Sequence, residues 1–167
     1  TVFNVRWNHS KDPKSSPNSS FSASVNFGSS DYFRQSVNQL NTPNFLNNNL
    51  SSSVSYSKSF PEYPRVNISL TTAMSQNSQT KSVNLTLPTF QANMERIFPF
   101  APKNGAKKGF FQNINFQYAG RAENRIITTE DELFGPKMFD DAKTGMNHSI
   151  PISTNFKLFK FFSVSTG

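Results

Sequence analysis

The chain has 167 residues, a length that fits one domain, and it has a net charge of +7 and no cysteine. The missing cysteines exclude disulfides and thiolate metal sites, and no apolar run reaches the roughly 18 residues of a transmembrane helix. Only 35% of the residues are hydrophobic, yet 14% are aromatic, which favours an ordered chain over a disordered one. The basic residues are scattered along the chain, so the charge does not predict a nucleic-acid partner.

Apolar and polar side chains alternate along most of the chain, a pattern typical of β-strands that have one apolar and one polar face. In chain order, the alternating segments cover residues 3–8, 21–27, 50–60, 65–74, 83–94, 113–122, 147–158 and 162–164. Most of them are about ten residues long, the length with which a tilted strand crosses a bilayer. The fifth segment changes phase at Pro88, which predicts a β-bulge.

The third segment, LSSSVSYSKSF, shows the alternation most clearly. Every odd position from Ser51 to Ser59 is serine, whereas the even positions include Leu50, Val54 and Phe60. One face is therefore polar but nearly uncharged, and the other is apolar. Lys58 is the exception on the apolar row, and we expect its amine to reach the headgroup region near the end of the strand.

The connections between segments differ in length. Long ones lie near residues 29–48 and 127–146, and most of those at the opposite ends of the segments are short, with 95–109 as an exception. Outer-membrane barrels have short periplasmic turns and longer extracellular loops. The sequence thus predicts an all-β fold, an antiparallel transmembrane β-barrel segment of about seven to eight strands belonging to a larger barrel. We expect residues 1–167 to be an internal fragment of one barrel domain, and the one helix to lie in TTEDELFGPKMFDD, where Thr129 and Glu132 have capping-box spacing.

Large aromatic side chains cluster at the predicted periplasmic turns, as in the interfacial girdle of a barrel. The predicted girdle consists of Phe60, Tyr63, Phe98, Phe100, Phe110, Phe111, Phe159, Phe161 and Phe162. Basic side chains on the polar faces are candidates for binding ligand phosphates in the lumen. These candidates are Arg6, Arg65, Arg121, Arg125 and Lys157.

No residues point to catalysis, and no cofactor or metal is predicted. His9 and His148 lack the neighbours of a nucleophilic or metal site, and we interpret them as surface histidines. The acidic residues within 130–141 can be a solvated loop or a calcium site; their spacing matches no known calcium loop, which favours the first.

Four long stretches of the sequence resemble a known protein family. They are RWNHSKDPKSSPNSSFSASVNFGSS, NTPNFLNNNLSSSVSYSKSFPEYPRVNISL, NLTLPTFQANMERIFPF and HSIPISTNFKLFKFFSVS. In these stretches the chain resembles the barrel region of the LptD (OstA) family of lipopolysaccharide-assembly proteins, in the form found in Bacteroidetes-type bacteria.

The resemblance implies a non-enzymatic translocon of the Gram-negative outer membrane that inserts lipopolysaccharide into the outer leaflet. It also implies an LptE-like plug lipoprotein, periplasmic Lpt bridge components and outer-membrane lipids as partners. Two other interpretations remain open from the residues alone. One is a porin or receptor-type outer-membrane barrel, and the other is a soluble all-β adhesion or binding module.

Overall fold

The structure is a computed structural model, and it describes residues 2–35, 49–107, 109–158 and 162–166. Nine strands make up most of it: β1 (Asn4–Ser10), β2 (Ser19–Gly28), β3 (Asn49–Phe60), β4 (Val66–Asn77), β5 (Ser82–Ile97), β6 (Asn115–Thr129), β7 (Lys143–Ser149), β8 (Ile152–Leu158) and β9 (Phe162–Thr166). The helices are short: α1 (Ser30–Gln35), α2 (Gly109–Gln112) and two 3₁₀ turns at Pro13–Ser15 and Pro136–Phe139. None of the helices in these ranges has the length and apolarity needed to cross a membrane.

The strands form an open antiparallel sheet in which β1 to β6 pair in chain order. Strands β7 and β8 both pair with β6 in one register, because Ala119 lies opposite Ser149 and Phe116 lies opposite Ile152. The single predicted seventh strand is therefore present but interrupted at Pro151, which has no N–H to donate to the ladder. The predicted all-β antiparallel architecture is confirmed, and an open sheet is consistent with a barrel segment.

The bulge predicted at Pro88 is present in β5. Between Thr86 and Thr89 the register shifts against both β4 and β6, so that β5 contains one residue more than each neighbour needs. Leu85 before the bulge lies opposite Met74, and Phe90 after it lies opposite Leu70. The bulge thus keeps apolar side chains on the same face of the sheet although the sequence changes phase.

The register separates the two kinds of side chain onto opposite faces. On the first face, Val54 lies between Ala23 of β2 and Thr72 of β4; on the second, Ser55 lies between Ser22 and Thr71. We call these the apolar face and the polar face. They differ because a strand has a side-chain period of two, and adjacent strands pair in matching phase.

The two ends of the sheet also differ. One end, which we call the lid end, is where β2, β4 and β6 finish and β3, β5 and β7 begin. We call the opposite end the aromatic end, because Phe60 at the end of β3, Phe98 just after β5 and the two phenylalanines of α2 lie there.

Residues 130–142, which we call the lid, fold over the apolar face at the lid end. Met138 of the lid is 3% exposed and packs with Val83, Leu85 and Ile126 in the small hydrophobic core. Leu133 of the lid packs against the same cluster. The predicted helix was wrong in position, because turns follow Thr129 and the 3₁₀ turn begins only at Pro136. Helices α1 and α2 were not predicted.

Candidate functional site

The polar face is lined by hydroxyl groups where β2, β3 and β4 meet. Ser20 and Ser57 form a hydroxyl–hydroxyl hydrogen bond of 2.7 Å across β2 and β3, and Ser57 lies opposite Ser69 of β4. Ser22 lies opposite Ser55 in the same way. These short side chains leave a flat surface of donors and acceptors without ionised groups, which is suited to contact with hydrated polar molecules.

A cluster of charged side chains lies on the same face at β6 and β7. Arg121 Nη2 is 2.6 Å from Glu123 Oε2, and Arg125 Nη2 is 3.4 Å from Glu123 Oε1. Lys143 of β7 lies directly opposite Arg125. The structure therefore brings together Arg121 and Arg125, two of the five predicted basic residues, around a single carboxylate.

The other three predicted basic residues lie apart from this cluster. Arg6 is on the edge strand β1, opposite Asn26 of β2, and Lys157 of β8 is opposite Ser163. Arg65 precedes β4 at the aromatic end, where its guanidinium is 3.9 Å from Glu95. That pair is more than half exposed on both sides, so its contribution to stability is small.

Sequence reasoning missed Glu123 and Lys143. Glu123 had a usable signal, because the stretch RAENR places Arg121, Glu123 and Arg125 on one face of a strand with period two. Lys143 had none, since it lies four residues before the predicted start of the seventh segment. Only its pairing with Arg125 shows its position.

The aromatic side chains of the predicted girdle that the structure describes lie at the aromatic end. The Phe98 N–H donates a hydrogen bond of 3.1 Å to the Tyr63 hydroxyl, and Lys107 Nζ lies 2.9 Å from the centre of the Phe98 ring. Phe110 packs edge-to-face on Phe156 of β8, with ring centres 5.3 Å apart. Phe60, Phe100, Phe111 and Phe162 are exposed. Phe159 and Phe161 lie outside the described residues.

Lys58 is on the apolar row, as predicted, because it lies opposite Ile68 of β4. Its side chain is exposed, two residues from the end of β3, and Nζ lies 4.9 Å from the centre of the Phe60 ring. The ring face attracts the ammonium group, which adds to the preference for this end of the strand.

Both histidines contact aromatic side chains. His9 stacks on Trp7 of the same edge strand, with ring centres 5.9 Å apart. His148 Nδ1 is 2.7 Å from the Tyr118 hydroxyl on the neighbouring strand. Both histidines are exposed, in agreement with their interpretation as surface residues.

Glu130, in the predicted acidic loop, is hydrogen-bonded to Ser30. Its two carboxylate oxygens accept hydrogen bonds from the Ser30 N–H at 3.0 and 3.2 Å, and one of them also accepts from the Ser30 hydroxyl. Gln76 Nε2 lies 3.5 Å from the same carboxylate and donates to the Gly28 carbonyl at 2.7 Å. Over the described ranges, no three His, Asp or Glu side chains come together as a metal site would require.

Comparison with known proteins gives one match. The profile of the family described as LptD protein matches residues 1–167, which is the whole chain. No curated protein and no solved structure matches the chain.

Proposed function

The chain belongs to the LptD protein family, and we propose on that premise that it forms part of the wall of an outer-membrane lipopolysaccharide translocon. At the level of the family, the function is non-enzymatic transport of lipopolysaccharide at the outer membrane. The finer proposal concerns what this sheet does there. The apolar face contacts lipid, the polar face lines a lumen, and the saccharide of lipopolysaccharide passes along the polar face.

The observation that supports this role best is the separation of chemistry between the two faces. Ser55 is flanked by hydroxyl residues on both adjacent strands, Ser22 and Thr71. On the other face, Leu70 of β4 lies between Tyr56 of β3 and Phe90 of β5. A barrel wall needs this arrangement, because one side meets hydrocarbon and the other meets water. Serine hydroxyls on the inner side exchange hydrogen bonds with sugar hydroxyls without the strong binding that would stop transport.

The partners follow from the same proposal. We propose lipopolysaccharide as the transported molecule, an LptE-like lipoprotein as a plug and periplasmic Lpt bridge components as the source. The aromatic residues at one end of the sheet fit an interfacial girdle. The short connections at that end, residues 11–18 and 61–65, fit periplasmic turns, which would place the aromatic end at the periplasmic side. The lid end then lies at the cell surface.

The proposal is tested in the full-length protein by depletion and complementation. Depletion of the wild-type protein should reduce surface lipopolysaccharide, measured by whole-cell labelling of its saccharide, and plasmid-borne wild type should restore it. A plug lipoprotein should co-purify with the wild-type protein. A porin or receptor barrel would not co-purify with one. Undiminished surface lipopolysaccharide after depletion would contradict the proposal.

The basic residues of the polar face allow a finer test. If Arg65 and Arg121 guide phosphates, their replacement with glutamate should slow delivery of lipopolysaccharide to the surface while the protein still folds. The matched control is Ser55→Asn, an uncharged change on the same face. Normal delivery by the double variant Arg65→Glu/Arg121→Glu would remove the role of charge and leave the wall proposal in place.

A further inference from the structure

The charged cluster on β6 and β7 has an unbalanced charge. Arg121 and Arg125 both pair with Glu123, and Lys143 lies opposite Arg125, so three cations lie near a single carboxylate. Glu123 contacts both arginines, at 2.6 and 3.4 Å. Within the part of the chain that the structure describes, Lys143 forms no ion pair, and the cluster has an excess of two positive charges.

The excess positive charge is unfavourable when no anion is bound, because of where Lys143 lies. Arg125 and Lys143 are directly opposite each other on adjacent antiparallel strands, with side chains on the same face. Like charges at such positions repel and destabilise the pairing. A doubly charged anion between the two side chains would convert the repulsion into two attractive contacts.

The space for such an anion is present. An open concavity of about 520 Å³ is lined by the cluster and by Gly145 and Asn147 of β7. Gly145 lies opposite Glu123, and a Cβ atom added to it would meet nothing within 4 Å. The missing side chain therefore leaves room between Lys143 and Asn147, beside the arginines.

The residues around the cluster indicate what carries the anion. On the other side of β6, Arg125 lies opposite Thr86, Glu123 opposite Thr89 and Arg121 opposite Gln91 of β5. The cations are thus bordered by neutral hydroxyl and amide groups, which bind sugar hydroxyls, and not by an apolar surface.

We propose that Arg125 and Lys143, assisted by Arg121, bind the phosphate of a phosphorylated saccharide. Arg125 supplies a planar fork of N–H donors and Lys143 a point charge, the two recognition modes for phosphate. Glu123 holds Arg121 in place and also repels the phosphate, so that binding stays weak enough for release. This inference rests on the proposed function. It adds that the phosphate is the group recognised, and that β6 and β7 form its binding site.

The test measures binding to the purified full-length protein in detergent by calorimetry, with N-acetylglucosamine 1-phosphate as probe. We expect weak saturable binding of the phosphosugar and none of N-acetylglucosamine. The double variant Arg125→Ala/Lys143→Ala should lose about tenfold or more in affinity, because the phosphate loses both of its contacts. Glu123→Gln should bind a few-fold more tightly. The matched control Lys14→Ala, which removes an exposed lysine from the turn between β1 and β2, should bind like the wild type.

Each contrary result has a definite meaning. Equal affinity in the wild type and the double variant would overturn the site, as would equal binding of the phosphorylated and neutral sugars. Equal affinity for glucuronic acid would overturn the assignment to phosphate, since that sugar carries a carboxylate. Absence of phosphosugar binding to the wild type would overturn this site but not the proposed function. The proposed function is overturned only if surface lipopolysaccharide stays normal after depletion, so the two failures are distinguishable.

Discussion

Glu130 accepts hydrogen bonds from both the N–H and the hydroxyl of Ser30, which lies 100 residues earlier in the chain. The contact joins the beginning of the lid to the segment that follows β2. Ser30 has no exposed surface, so its N–H group depends on this carboxylate as an acceptor. Two long connections of the lid end are thereby fixed to each other.

Replacement of Glu130 by alanine should therefore destabilise the lid end. The Ser30 N–H loses its acceptor in a buried position, at a cost of about 1–3 kcal/mol. Urea unfolding of the full-length protein in detergent, together with limited proteolysis of residues 130–142, measures the effect. Glu132→Ala is the control, because the Glu132 side chain is exposed in the same lid. Equal protease resistance in both variants would contradict the role of Glu130.

Lysine substitutions in the middle of β3 should distinguish the two faces. Val54→Lys places a charge on the apolar face, where we expect a cost of about 2–4 kcal/mol if that face meets the bilayer centre. Ser55→Lys, one residue further and on the polar face, should cost much less. The measurement is the urea midpoint of the full-length protein folded in phospholipid vesicles. A larger loss for Ser55→Lys would mean that the faces are assigned the wrong way round.

Two glycines in neighbouring strands should respond differently to alanine. A Cβ on Gly120 would clash with the Tyr118 hydroxyl, so Gly120→Ala displaces that ring and breaks its hydrogen bond to His148, at about 0.5–1.5 kcal/mol. Gly145→Ala meets nothing within 4 Å and should be neutral or stabilising, since alanine has the lower backbone entropy in the unfolded chain. Thermal unfolding of both variants provides the comparison. Similar effects at the two positions would show that the Tyr118 contact does not matter.

Much of the sheet was predictable because its determinants are local. The serine row of β3 and the phase change at Pro88 are both contained in a few consecutive residues, and period two alone assigns the faces. The short connections at residues 61–65 and 78–81 also predict that β3, β4 and β5 are neighbours, because consecutive strands joined by short turns pair in an antiparallel sheet.

The lid was not predictable in the same way. Met138 lies in an irregular segment without a period, and its burial depends on Val83 and Ile126, which come from other strands. The capping-box spacing of Thr129 and Glu132 favoured a helix, but Thr129 is already paired with Ser82 as the last residue of β6. Tertiary pairing overrode the local signal. The cation cluster was half predictable for a similar reason, since Lys143 joins it only through strand register.

The lid also limits the hydrophobic thickness that the sheet can offer to a membrane. Val83 and Leu85, at the start of β5, are covered by the chain itself and have no surface for lipid. Leu87 still packs partly against that cluster, so the stretch from Leu87 to Ile97 is the most that β5 can offer: at most about 33 Å along a strand and about 25 Å along the membrane normal at a tilt near 40°. That height is about the apolar band of an outer-membrane barrel. Strands β3 to β6 are longer than the roughly 9–11 residues of a membrane-crossing strand, and in the proposed barrel the lid would remove the surplus from contact with hydrocarbon.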